Sequence, residues 1–177
     1  MDHDRYDDDY IAGILSDCRI FAFVGASANT SRPSYFAMKY LLAKGYVVIP
    51  INPGQAGKEI LGQKVYASLA EVPAPVDVVD IFRASEAALE VTREAIRLKD
   101  QLSIKVVWMQ LGVKNAEAAA EAEAAGLKVV MNRCPKIEYG RLSGEIGWAG
   151  VNTGVISSIR PKLAAQGVQG HVIDRKG

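Results

Sequence analysis

The chain has 177 residues, is 49% hydrophobic and carries a formal net charge of +1. This fits one α/β-sized domain with a core of its own and gives no global field for drawing in nucleic acid. Two cysteines, Cys18 and Cys134, make no disulfide framework, and the acidic start Met1-Asp2-His3-Asp4 has no apolar signal segment. With no apolar run near the length of a membrane span, a cytoplasmic protein with reduced thiols is expected, with no membrane or nucleic-acid partner.

In chain order, residues 8–16 place Tyr10, Ile11, Ile14 and Leu15 at helical spacing after a run of aspartates that suits a helix start. Ile20-Phe21-Ala22-Phe23-Val24 is an uninterrupted apolar run, the signature of a strand buried on both faces. It ends at Gly25 in a loop of small residues. Pro33 then opens a helical pattern, because a first turn has no use for the missing N–H. Gly45 closes that helix. Val47-Val48-Ile49-Pro50-Ile51 predicts the second strand, and residues 57–65 hold two short extended pieces around Gly62. Residues 76–82 predict a third strand, 85–99 a helix with Ser85 as its N-cap, and 104–111 a fourth strand. A helix over 115–125 and a fifth strand over 128–131 follow. This alternation predicts a three-layer α/β fold: a Rossmann-like, doubly wound parallel sheet of about five strands. Residues 1–141 are assigned to that domain. Residues 142–177, where Gly144, Gly147, Gly150 and Gly154 interrupt a mixed pattern, are assigned to a tail packed on the domain or on a neighbouring subunit.

In an open parallel sheet, ligands lie beyond the carboxyl ends of the strands. Five segments qualify: 25–33, 52–58, 82–83, 110–113 and 132–135. The first is the richest. Gly25 permits a tight turn, and the following amides and the helix start at Pro33 favour an anion. Ser27, Thr30, Ser31 and Ser34 supply hydroxyls, and Arg32 a planar cationic fork for phosphate. The competing explanation is a turn rich in small residues for its own sake. The usual dinucleotide fingerprint G-x-G-x-x-G is not kept: the frame reads Gly25-x-Ser27-x-x-Thr30. The acidic residue expected at the end of the second strand is replaced by Asn52 and Pro53, which suits a phosphorylated ribose, as in CoA or NADP. Arg32 and Lys58 are candidates to neutralise that phosphate, with a solvated surface lysine the alternative for Lys58.

Val24-Gly25-Ala26-Ser27, Ser31-Arg32-Pro33-Ser34-Tyr35, Gly45-Tyr46 and Val48-Ile49-Pro50-Ile51-Asn52-Pro53 resemble the small stand-alone CoA-binding proteins, themselves similar to the N-terminal CoA-binding domain of the succinyl-CoA synthetase α subunit. The likeness continues through Leu61-Gly62, Val65-Tyr66-Ala67-Ser68-Leu69, Val76-Asp77-Val78-Val79-Asp80-Ile81-Phe82-Arg83, Val107-Trp108-Met109-Gln110-Leu111-Gly112 and Asn132-Arg133-Cys134-Pro135-Lys136-Ile137-Glu138. The resemblance implies CoA as cofactor, with Gly25, Ala26, Ser27, Ser31, Arg32, Pro33 and Ser34 at its phosphates. It implies Asn52, Pro53 and Lys58 beside the adenosine. Ile81, Phe82 and Arg83 would flank the adenine or the pantetheine arm, and Gln110 and Gly112 the far side. Phe82 is read either as a ring stacked on adenine or as a core ring, and Trp108 as core.

The synthetase's phosphorylated histidine has no counterpart: His3 and His171 fall in the terminal segments, outside every site loop. Among the site loops there is no nucleophile–base order, no metal-ligand cluster and no close carboxylate pair; Glu138 and Glu145 are read as surface acids. Cys134 is read as a half-buried thiol held by the Pro135 turn, the alternative being a mixed disulfide with CoA. The leading expectation is a protein that holds CoA or acyl-CoA without chemistry. The alternatives are an NADP-dependent oxidoreductase or acyl-CoA-handling enzyme, and a nucleotide-responsive regulatory protein whose tail meets a partner. A homodimer is the default assembly.

Overall fold

A computed structural model describes residues 1–145. Its main sheet has five parallel strands in the order β2-β1-β5-β6-β7: β1 (Ile20–Val24), β2 (Val47–Ile51), β5 (Val78–Ile81), β6 (Val106–Met109) and β7 (Lys128–Val130). A two-residue pair, β3 (Glu59–Ile60) and β4 (Gln63–Lys64), forms the turn around Gly62. The helices are α1 (Asp8–Asp17), α2 (Pro33–Ala43), α3 (Ser85–Leu102), α4 (Ala116–Ala124) and α5 (Pro135–Leu142). The expected doubly wound α/β sheet is present.

Strand alternation sorts the core into two layers. Ala22, Val79, Ile81, Val107 and Met109 pack with α3 and α4. Phe21, Phe23, Val78, Val106 and Trp108 point the other way and pack with α1 and α2. Both faces are covered, which is why the strands read as continuous apolar runs. On the first face small residues let the layers approach: Ala88, Thr92 and Ala95 of α3 and Ala118, Ala119 and Ala122 of α4 are all buried.

The edge strand β7 is closed by the N-terminal segment. The Tyr10 hydroxyl donates to the Val129 carbonyl and accepts from its N–H, both at 3.1 Å, and the Tyr6 hydroxyl accepts from Met131 N–H at 2.7 Å. These bonds occupy backbone groups that would otherwise offer a template for another strand. At the opposite, amino end of the sheet, Asp77 accepts from the Arg19 and Ile20 amides and pairs with Lys105 at 2.7 Å. Burial pulls its pKa upward, but Lys105 and the two amides outweigh it, and the carboxyl is held below its ordinary range.

Three expectations are corrected. The N-cap of α3 is Ala84, and Ser85 is the first helical residue; its hydroxyl instead accepts from Lys114 N–H. Residues 135–142, for which the sequence pattern predicts no helix, form α5, started by Pro135. Glu138 is no surface acid: it is 1% exposed, held by Arg141 at 2.9 Å and Arg133 at 3.6 Å. The tail expected over 142–177 lies, apart from its first four residues, outside the described residues.

Candidate functional site

The chain steps from β1 outward to β2, then crosses back over β1 to β5. The order of the sheet therefore reverses between β1 and β5, and their carboxyl ends diverge into a crevice. A groove of about 410 Å³ opens there, within the usual size for a small-molecule cleft. Gly25, Ser27, Arg32, Pro33 and Ser34 line it from the β1–α2 loop, Phe82 and Arg83 from the end of β5, and Gln110, Leu111 and Val113 from the end of β6.

Gly25 makes the close approach possible. Its φ is +93°, and a Cβ there would lie 2.6 Å from the Phe82 carbonyl oxygen and 2.8 Å from Arg83 Cδ. Most of the loop's amides are already engaged. Gly25 and Ala26 donate to the Ile51 carbonyl, Ser27 N–H to the Ser34 hydroxyl, and Ala28 N–H to Gln55 Oε1. Ser31 N–H donates to Asn29 Oδ1. The loop is thus rigid, and less of an amide cradle than the sequence suggests. Its charge comes from side chains: Arg32 and Arg83 are exposed, and neither pairs with a carboxylate among the described residues. The amino end of α2, which Arg32 precedes, lines the same groove.

The remaining sequence-derived candidates fall elsewhere. Ala26 is buried and Ile81 is fully enclosed in the core, so neither offers side-chain surface to a ligand. Asn52 acts as a brace: its Nδ2 donates to the Ala26 carbonyl at 2.8 Å and its Oδ1 accepts from Gly54 N–H. Ser31, Pro53, Lys58 and Gly112 are exposed and do not line the groove; Gly112 N–H donates to Asn132 Oδ1, which joins the loops after β6 and β7. Leu111 and Val113 were not singled out from the sequence, although they sit in one of its five segments; an apolar loop residue carries no signal of its own. Phe82 packs on Phe23, at 4.7 Å between ring centroids, and also lines the groove. Trp108 is fully buried, its indole N–H donating to the Arg133 carbonyl.

Cys134 caps the start of α5. Burial pushes its thiol up to about 11; the Ile137 amide pulls the other way, and Asp80 adds to the rise. A nucleophilic cysteine needs the opposite shift, so the environment suits a structural thiol. Cys18 is likewise pushed to about 11 by burial, and both cysteines are free. His3 is tucked against Tyr6 and Glu123 and does not line the groove; His171 lies outside the described residues.

The CoA binding domain family matches residues 19–140. This chain belongs to that family. An uncharacterized protein, YneT of Bacillus subtilis (strain 168), is 34% identical over 129 residues, which is 73% of this chain and 91% of that one. A hypothetical protein from Pyrococcus horikoshii OT3 is 40% identical, with a TM-score of 0.73 over 80% of this chain and 95% of its own. The dinucleotide-forming acetyl-coenzyme A synthetase 1 of Ca. Korarchaeum cryptofilum is 26% identical, with a TM-score of 0.53 over 64% of this chain and 26% of the much longer synthetase. Among the described residues no helix is long and apolar enough to cross a membrane.

Proposed function

We propose that this member of the CoA-binding domain family holds CoA or acyl-CoA across the carboxyl ends of β1, β5 and β6, and does no chemistry on it. One observation carries the reading: Arg32 and Arg83, two cations without carboxylate partners among the described residues, flank a groove at the point where the sheet order reverses. Guanidinium forks bind phosphate oxygens two at a time, and a pyrophosphate is the ligand group that satisfies two of them. The Ser27 and Ser34 hydroxyls and the amino end of α2 add donors on the same side. Phe82 offers a ring face for adenine or for the arm, and Leu111 and Val113 an apolar wall for the pantetheine chain. Asn52, Pro53 and Lys58 border the adenosine side of this arrangement.

The residues that line the groove among the described ones carry no carboxylate, histidine or thiol, which favours binding over proton-transfer chemistry at its walls. A cytoplasmic carrier, alone or as a homodimer, fits this chemistry.

Calorimetric titration with CoA, with NADP and NAD as controls, tests the reading. The expected result is CoA binding that weakens about 10-fold or more in Arg32→Ala and in Arg83→Ala, since a charged hydrogen bond contributes about 1.5–3 kcal/mol. Binding of NADP and not CoA would move the protein to the oxidoreductase class. Binding of neither would remove the cofactor assignment altogether.

A further inference from the structure

Two buried polar side chains near the carboxyl end of the sheet carry atoms with no hydrogen-bond partner among the described residues. Asp80, in β5, is 0% exposed, and neither carboxyl oxygen has a hydrogen-bond partner among the described residues. Gln110, just past β6, is 5% exposed; its Oε1 accepts from Leu111 N–H, while its Nε2 is buried and has no partner among the described residues. Native proteins rarely leave such groups alone, and each needs a reason.

The register places the two together. Asp80 lies opposite Trp108, and Gln110 is two residues further along the same strand direction. Side chains two apart share a face, so Asp80, Phe82, Trp108 and Gln110 all belong to the layer of α2 and α5. Adjacent strands are ~4.8 Å apart, which leaves Asp80 and Gln110 as diagonal neighbours at the carboxyl end of the sheet. Gln110 lines the groove itself; Asp80 sits one pleat beneath Phe82, which lines it too. Burial with no compensating partner raises the Asp80 pKa well above its ordinary range and so favours the neutral acid, a form that both donates and accepts.

We propose that Asp80 and Gln110 form a hydrogen-bonding floor of the groove that receives a secondary amide of the ligand's pantetheine arm. The inference rests on the CoA reading and extends it. The Gln110 Nε2–H group donates to the amide carbonyl, the amide N–H donates to an Asp80 oxygen, and both orphaned groups are satisfied at once. Phe82, just past β5, is the next side chain on the same face as Asp80, so entry of the arm requires its half-buried ring to turn away from Phe23. A neutral acid suits an amide better than a carboxylate would, because no charge has to be desolvated.

The test compares the affinity of CoA with that of its nucleotide half, adenosine 3′-phosphate 5′-diphosphate, which lacks the arm. In wild type, CoA binds more tightly than the half. Asp80→Leu and Gln110→Leu are each expected to narrow that ratio about 10-fold, the worth of a hydrogen bond lost from a buried site. Asp80→Asn, which keeps a donor and an acceptor, restores most of it. As a second readout, the infrared C=O stretch of protonated Asp80 shifts on adding CoA and stays still on adding the nucleotide half. An unchanged ratio in both leucine variants, or an equal shift with both ligands, overturns the inference while leaving the CoA reading intact; the floor then holds a structural water only. Wild type that binds neither compound removes the CoA reading, and this inference with it.

Discussion

Gly25 shows how one residue sets the groove. Any side chain there meets the Phe82 carbonyl at 2.6 Å, and the φ of +93° is strained for an L-residue even without that contact. Gly25→Ala is expected to cost about 2–4 kcal/mol in urea unfolding, the sum of a positive-φ penalty and a backbone clash. It is also expected to weaken CoA binding, because relief of the clash displaces Phe82 and Arg83. Asp80 makes a prediction of the opposite sign. Its pKa is raised in the folded state, whereas in the unfolded chain it ionises near the ordinary value of about 3.9. Below that pH both states are protonated and the group contributes nothing to pH dependence. Above it the unfolded state loses its proton and the folded state does not, so stability falls as pH rises, by up to about 1.4 kcal/mol per unit. Asp80→Asn removes this slope. The variant should be more stable than wild type at pH 7 and converge with it near pH 4, as read by urea unfolding across that range. A wild-type stability that stays flat relative to Asp80→Asn would mean that the acid is ionised in the fold.

At the scale of elements, the sequence reads well where one cause dominates. Every strand of the main sheet falls in a mainly apolar stretch, because burial on both faces favours that composition; buried Asp80 in β5 and exposed Lys128 at the start of β7 are the charged exceptions. The runs overshoot the ladders: residues 76–82 contain Val78–Ile81, and 104–111 contain Val106–Met109. The excess is physical, since Val76 and Ile104 are buried in the core without pairing in a strand. The helix α5 was illegible for the converse reason. It spans eight residues, carries Gly140 in its interior and shows little apolar periodicity, and its anchor is the buried Glu138–Arg141 pair. The groove was legible as loop positions, since strand order and small residues point there. The split between residues that line it and residues that brace it was not: Asn52 and Arg32 both sit just past a strand end or just before a helix, and only their side-chain partners separate them. Asp80 was hidden as well, as one polar letter in an apolar strand. The N-terminal segment supplies the test at this scale. If the tyrosine hydroxyls close the β7 edge, Tyr10→Phe leaves the Val129 N–H and carbonyl unpaired, at a cost of about 1–3 kcal/mol. Hydrogen exchange at the Val129 amide should accelerate more than exchange at Val107 in the middle of the sheet. Equal acceleration at both would show that the bond serves the whole fold and not that edge.

For the whole molecule, the position of the groove decides how a ligand acts on stability. Its walls come from chain segments far apart in sequence, around residues 25–34, 82–83 and 110–113, which meet only because β1, β5 and β6 are neighbours in the sheet. A molecule lying across all three therefore binds only the assembled fold, and its binding free energy adds to global unfolding. At a free concentration 100 times its Kd, such a ligand stabilises by about 2.7 kcal/mol. For a chain of this length that is a rise in Tm of about 5–10 °C. With a net charge of +1 on the entire chain, the attraction for an anion has to be local. Arg32→Ala and Arg83→Ala should accordingly shrink the CoA-induced shift while leaving the melting temperature of the free protein within about 2 °C, because both side chains are exposed and lack carboxylate partners among the described residues. Thermal melts of wild type and the two variants, with CoA, NADP or no ligand, measure this directly. A shift that survives removal of both arginines would place the phosphates elsewhere on the molecule, and the groove would lose the observation that ties it to CoA.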